Sequence, residues 1–242
     1  MKKIGLLSLA LVLALGALGV GYAAWTDTIT IEGTVNTGSV GGSIEWVSGT
    51  WVYKVVGMEP DEMVVQHDRG SFKFRPPAPD GGELIAYAEV LFWAEPLGGG
   101  PETVTVKFDN LFPVIDQPLW YDFVVDILWH YDGSVPAKVN SIGDFVLNPD
   151  PGTNPELLDD LRCAMSMYRC TEDGMPLDKD GNVLPLEDLR FADFIEPGDQ
   201  LHYCDYVMIL IGVDVPQDNT LMDLSGSFTF DLDVVQWNEY PH

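Results

Sequence analysis

The chain has 242 residues, 46% of them hydrophobic and 11% aromatic, with 12 Lys and Arg against 38 Asp and Glu and a formal charge of -26. Apolar content at this level excludes a disordered chain, and the acidity excludes a nucleic-acid binder or a protein held electrostatically on anionic lipid. Self-association is not excluded, because salt screens surface charge and divalent cations bridge carboxylates.

Lys2 and Lys3 precede an uncharged run from Ile4 to Ala24 that closes on the small residues Ala23 and Ala24. This is the pattern of a cleaved export signal over residues 1–24, and it predicts a secreted or cell-surface protein released by a signal peptidase. An uncleaved anchor is the alternative, since about 20 apolar residues also span a bilayer. The abrupt change to polar alternation after Ala24 favours cleavage. Without Lys2 and Lys3, 10 basic residues face 38 acidic ones, a charge of -28 on a single elaborated domain.

Residues 25–38 form the next unit, a strand and its linker. Trp25, Asp27, Ile29, Ile31, Gly33 and Val35 share one parity, and Thr26, Thr28, Thr30, Glu32 and Thr34 share the other. In an extended chain that alternation places Ile29, Ile31 and Val35 on one face, interrupted at Gly33, where another group can approach the backbone closely. Asn36-Thr37-Gly38 reads as the exit.

The domain from 39 to 242 is predicted to be all-β. Strand patterns run over 43–47, 50–56, 83–94, 103–109, 119–131, 138–146, 202–213 and 224–237, separated by segments rich in Gly, Pro, Asp and Asn. Repeated period-two patterning points to two packed antiparallel sheets. The last pattern aligns Leu224, Phe228, Phe230, Leu232 and Val234 on one face, a good core strand.

An insertion at about 150–200 is the expected exception. Asn154 can cap a helix, Pro155 suits its first turn, and Leu157, Leu158, Leu161, Ala164, Met165 and Tyr168 recur at helical spacings. Cys163 and Cys170 on such a helix stand roughly 10 Å apart, beyond disulfide reach, so Cys204 becomes the better partner for one of them. Three cysteines in an oxidising compartment allow one bridge and one free or intermolecular thiol. Further on, Asp178, Asp180 and Asn182 resemble fragments of a calcium loop. Val183 stands where a calcium hand has Gly, which leaves calcium as a candidate ligand beside a plain solvated turn.

Familiar catalytic signatures are missing. No His-Glu-x-x-His and no Gly-x-Ser-x-Gly occurs, and His67, His130, His202 and His242 are dispersed. His130 and His202 lie near Asp126, Asp132 and Asp205, the one place where strands can gather a metal cluster. Trp46, Trp51, Trp93, Trp120, Trp129 and Tyr131 offer material for a glycan platform.

Gly21-Tyr22-Ala23-Ala24-Trp25-Thr26-Asp27, the following Gly33-Thr34-Val35-Asn36-Thr37-Gly38, and the closing segment from Gly226 to Asn238 resemble the two ends of TasA/camelysin-like exported proteins and related archaeal fibre subunits. The resemblance covers the ends of the chain, not its middle. It implies a jelly-roll sandwich that polymerises head-to-tail with identical subunits into a biofilm-matrix fibre. It further implies that Trp25, Ile29, Ile31 and Val35 form a donor strand completing the sheet of the next subunit, where Leu224, Phe228, Phe230, Leu232 and Val234 wall the acceptor groove. Some relatives have been classed as metallopeptidases, but the residues here support no enzyme. A monomeric carbohydrate-binding or adhesion module is the competing expectation.

Overall fold

Period-two alternation dominates the chain, and in the computed structural model it becomes antiparallel strands. The structure describes residues 38–55, 63–72, 74–94, 101–113, 121–144, 146–153, 161–215 and 224–238; the expected signal and donor strand lie outside them. The described strands are β1 (Gly42–Val55), β2 (Met63–Gly70), β3 (Gly82–Ala94), β4 (Glu102–Leu111), β5 (Phe123–Tyr131), β6 (Ala137–Ile142), β7 (Val146–Pro149), β8 (Arg162–Cys170), β9 (Gln200–Leu201), β10 (Tyr206–Asp214) and β11 (Leu224–Gln236). They form one curled antiparallel sheet in the order β8-β10-β5-β1-β3-β4-β11-β6-β9, with β2 added to β1 and β7 to β11.

The curl originates in β1. Its first half pairs with β5 from Gly42↔Tyr131 to Ser48↔Asp126, and its second half with β3 from Thr50↔Ala88 to Val55↔Gly82. Strand β2 stays on the opposite side of β1 throughout the change, from Val47↔Gly70 to Lys54↔Met63. Strands β5 and β3 therefore leave the same side of β1 at successive positions, and the sheet divides into two wings. Gly49 marks the fork, where an added Cβ would stand 2.4 Å from the Ala88 carbonyl oxygen. At the fork Thr50 supplies bonds that the ladder no longer makes: its Oγ1 donates to the Val124 carbonyl at 3.1 Å and accepts from the Val124 amide at 2.9 Å. Replacing Thr50 with Val keeps the shape and orphans both buried groups, so Thr50→Val is expected to cost ~1–3 kcal/mol in urea denaturation, whereas Thr50→Ser stays near the wild type. An unchanged Thr50→Val midpoint would contradict this role.

Both wings contribute to one core. Phe123, Val125, Ile127, Trp129, Met167, Val207, Ile209 and Ile211 from β5, β8 and β10 share a buried cluster with Val104, Val106, Phe108, Phe228, Phe230 and Leu232 from β4 and β11. Phe108 and Phe228 stack with ring centroids 5.7 Å apart. A second cluster lies on the other face of the β8-β10-β5 wing, where Leu128, Tyr168, Cys170 and Met208 are covered by Leu184, Leu189 and Ala192 of the excursion between β8 and β9.

The expected helix is corrected over Arg162–Cys170, which is strand β8. Cys163, Met165 and Met167 face the main core, while Tyr168 and Cys170 face the excursion. A strand buried on both faces presents apolar residues at helical and strand spacings alike, so the periodicity did not discriminate. The start of that expected helix, 154–160, lies outside the described residues. The excursion is instead a loop with one 3-10 turn, Leu186–Phe191. It clamps the edge of β8 through Arg169 N–H to Asp193 O and Ile195 N–H to Met167 O. The Arg169 guanidinium reaches Asp193 at 3.0 Å and Asp205 at 2.7 Å. Among the described residues no helix is long and apolar enough to cross a membrane.

Candidate functional site

An opening of about 430 Å³, lined by Ser43, Ile44, Phe72 and Trp93, interrupts the margin of the core. Ile44, Phe72 and Trp93 also pack against the main cluster, so the opening is a broad depression over the margin of the core. Among the described residues, the strand segments that border it have one neighbour each: Gly42–Trp46 of β1 has β5 beside it, and Glu89–Ala94 of β3 has β4. A bulge between Val90 and Phe92 breaks the alternation of β3, leaving Leu91 46% and Phe92 50% exposed just before Trp93 in the chain. The indole Nε1 of Trp93 is buried without a hydrogen-bond partner. Strand edges with a single neighbour among the described residues offer backbone donors and acceptors to an extended segment.

The residues expected to wall an acceptor groove are placed elsewhere. Leu224, Phe228, Phe230 and Leu232 are at most 2% exposed in the chain's own core, with Val234 partly buried beside them. Strand β11 has β4 along one edge as far as Leu232 and β7 and β6 along the other, so both edges are occupied beside Phe228 and Leu232. Sequence pattern identified a core strand correctly but not which strand edges are free. The expected donor residues Trp25, Ile29, Ile31 and Val35 lie outside the described residues.

Asp178 forms a tight turn with the rest of its trio. Its Oδ1 accepts the Asp180 and Asn182 amides at 2.9 and 2.8 Å, and the Asn182 side-chain amide donates to both of its carboxylate oxygens. These bonds hold the Asp178 carboxyl below the usual carboxylate range, the Asn182 side chain first among them. Lone pairs engaged this way organise the loop itself, and among the described residues no three His, Cys, Asp or Glu side chains are grouped to hold a metal ion.

Cys163, Cys170 and Cys204 are unbonded. Extended along β8, Cys163 and Cys170 are further apart than on a helix, and their odd separation puts them on opposite faces. Burial pushes the Cys163 thiol from 9.0 up to about 11 and the Cys170 thiol up to about 12. Both therefore stay protonated and slow to react near neutrality. Because these values are raised, their contribution to stability is complete below pH 9, the unfolded thiol's value, and is lost as pH rises towards 11 and 12. Cys204 is exposed, on a turn at φ 68°. Maleimide at neutral pH is expected to label Cys204 alone in the folded protein and all three thiols after denaturation. Labelling of the native protein at Cys163 or Cys170, read by peptide mass spectrometry, would contradict their burial.

The structure gathers one polar cluster that sequence reading did not assemble. Ser48 of β1, His67 of β2 and Asp126 of β5 converge where β1 is flanked by both neighbours. Ser48 Oγ donates to Asp126 Oδ2 at 2.9 Å, and His67 Nε2 lies 2.9 Å from the same oxygen and 3.2 Å from Ser48 Oγ. In a nucleophilic relay the acid holds one ring nitrogen and the serine gives its proton to the other. Here serine and acid share Nε2, the Ser48 proton is taken by Asp126, and Ser48 is 3% exposed. The arrangement ties three strands together and does not activate a nucleophile.

His130 stacks on Tyr206 and meets Glu45 at 3.2 Å, while His202 lies 3.7 Å from Asp205, so the two histidines serve separate contacts. The candidate glycan aromatics do not converge on a platform either. Trp51, Trp129 and Tyr131 are fully buried, Trp46 lies beneath Arg69, and Trp120 falls outside the described residues. Trp129 donates its Nε1 to the buried Glu102 carboxylate at 2.9 Å. Of the described members of that set, Trp93 lines the opening. The sequence signal for the opening was the break in alternation at Leu91-Phe92-Trp93. Comparison with family models, curated proteins and solved structures finds no match to this chain.

Proposed function

We propose that this protein is a secreted structural subunit of an extracellular fibre, polymerising when residues 25–35 of one copy occupy the opening at Ser43, Ile44, Phe72 and Trp93 of the next. The observation that carries the reading is that opening, an apolar depression at the margin of the core bordered by strand segments with one neighbour each among the described residues. An added strand pairs exposed backbone groups while its apolar face fills the depression. The alternation of Ile29, Ile31 and Val35 against Thr28, Thr30 and Thr34 has the required form.

The two wings and their common core support a jelly-roll-like sandwich as the body of the subunit. Donation between different surfaces is heterologous and does not close, so it yields a filament. The surface excess of acid keeps fibres apart at low salt and leaves calcium or other cations a role in bundling. Matrix components are further candidate partners.

The test is to purify the exported protein, sequence its N-terminus and examine the same sample by negative-stain electron microscopy. Filaments from chains beginning near Trp25 support the reading. A protein with that terminus that remains monomeric across concentration and salt overturns it in favour of a monomeric surface-binding module.

A further inference from the structure

We infer that the outer surface of the excursion between β8 and β9 is a docking site for a basic protein partner that presents apolar side chains. The excursion covers the second cluster with Leu184, Leu189 and Ala192. The apolar residues interleaved with these in the chain are left outside: Val183 is 56% exposed, Leu186 62% and Phe191 58%, with Phe194 38% exposed at the edge of Tyr168. Main-chain bonds fix the segment that carries them. Asp178 Oδ1 accepts the Asn182 amide at 2.8 Å, Leu177 and Val183 form a bridge, Leu184 N–H donates to Pro176 O at 2.8 Å, and Ala192 N–H donates to Leu189 O at 2.9 Å. Scattered single apolar residues on a surface need no explanation. Four within twelve residues of an ordered loop, on the side turned away from the cluster it covers, have the make-up of an interface core waiting for its other half.

Charge selects the occupant. Between Glu172 and Asp199, nine acidic residues stand against two basic ones, Lys179 and Arg190. Asp178 is spent on its own turn and Asp193 on Arg169, while Glu187, next to Leu186, is exposed. Two copies meeting face to face would set this acidic rim against itself in a chain of net charge -26, which opposes a second copy as the occupant. A basic partner meets the rim with opposite charge, which steers and orients it, while its apolar side chains cover Leu186 and Phe191 and supply most of the affinity. The site is separate from the opening at Ser43, Ile44, Phe72 and Trp93 and does not depend on strand donation.

The test uses the full-length chain and, as probe, a short fluorescent amphipathic peptide of Leu and Lys, with binding read by anisotropy at physiological salt. Leu186→Ser/Phe191→Ser is expected to weaken binding about tenfold, with the urea midpoint of the wild type because both side chains lie outside the core. Glu187→Lys weakens it about threefold. Met63→Ser/Val65→Ser, which alters exposed apolar residues of β2, binds like the wild type. A peptide with Gln in place of Leu binds weakly and equally to the wild type and to Leu186→Ser/Phe191→Ser, and one with Glu in place of Lys does not bind. No binding of the Leu/Lys peptide, wild-type affinity in Leu186→Ser/Phe191→Ser, or an equal loss in Met63→Ser/Val65→Ser overturns the site. Equal binding of the Glu peptide, or wild-type affinity in Glu187→Lys, overturns the choice of a basic partner. A dimer in sedimentation that Leu186→Ser/Phe191→Ser dissolves overturns it in favour of a second copy.

Discussion

A chain lacking Trp25–Val35 is expected to be exported and folded yet to form no filaments at any accessible concentration. The core described here is built from residues after Gly38, so the deletion removes none of its buried side chains. On the strand-donation proposal, it removes the segment that would fill the opening. Burial of one Ile side chain contributes ~1.5–3 kcal/mol. Ile29 and Ile31 together therefore account for ~3–6 kcal/mol of each contact, roughly 100- to 10,000-fold in critical concentration. Ile29→Asp should reproduce most of the loss within an intact chain, because a carboxylate in an apolar opening must be neutralised or left unpaired. Sedimentation against concentration measures the effect. Deletion filaments with the wild-type critical concentration would remove the N-terminal strand from the mechanism.

Phe228→Ala is expected to act at a different level and destabilise the subunit itself. Phe228 is fully buried, stacked on Phe108 and central to β11, which is paired along both edges. Truncating a buried Phe to Ala typically costs ~3–5 kcal/mol, a large share of the ~5–15 kcal/mol that stabilises a domain. Chemical denaturation of monomer should show that loss, and expression should fall with it. Had Phe228 walled an open acceptor, the same substitution would spare the monomer and weaken only assembly. A Phe228→Ala monomer with wild-type stability would restore that role.

The contrast between these variants follows from what a single sequence encodes. Alternation identified β3, β4, β5 and β11 within a few residues, most plainly β4 and β11, whose buried residues alternate with more exposed ones along one face. It missed β2, whose Met63-Val64-Val65-Gln66-His67 shows no clean alternation because the strand lies on the margin of the sheet, half-exposed on both faces. It misread β8 because the excursion buries that strand's second face, and a strand covered twice loses its polar parity.

The site was legible only in fragments. Parity shows that Phe228 faces inward but not whether a neighbouring strand already occupies its edge, since pairing is a long-range property of the fold. Gly49 looked like punctuation between two strands; it lies inside one, kept small by the Ala88 carbonyl at the fork. Ser48, His67 and Asp126 come from three strands whose adjacency no local spacing reveals. Trp93 was visible as an aromatic, but its unpaired N–H could be recognised only once its surroundings were known.

The handover of β1 from β5 to β3 has a mechanical consequence. If residues 25–35 are gripped by a neighbour, tension along a fibre enters each subunit at Gly38 and runs straight into β1, whose ladders with β5, β2 and β3 succeed one another along fourteen residues. Ladder hydrogen bonds lie perpendicular to their strands. A pull along β1 therefore loads them in shear, all together, instead of peeling them apart one by one, and it spreads the load into both wings through the one strand they share.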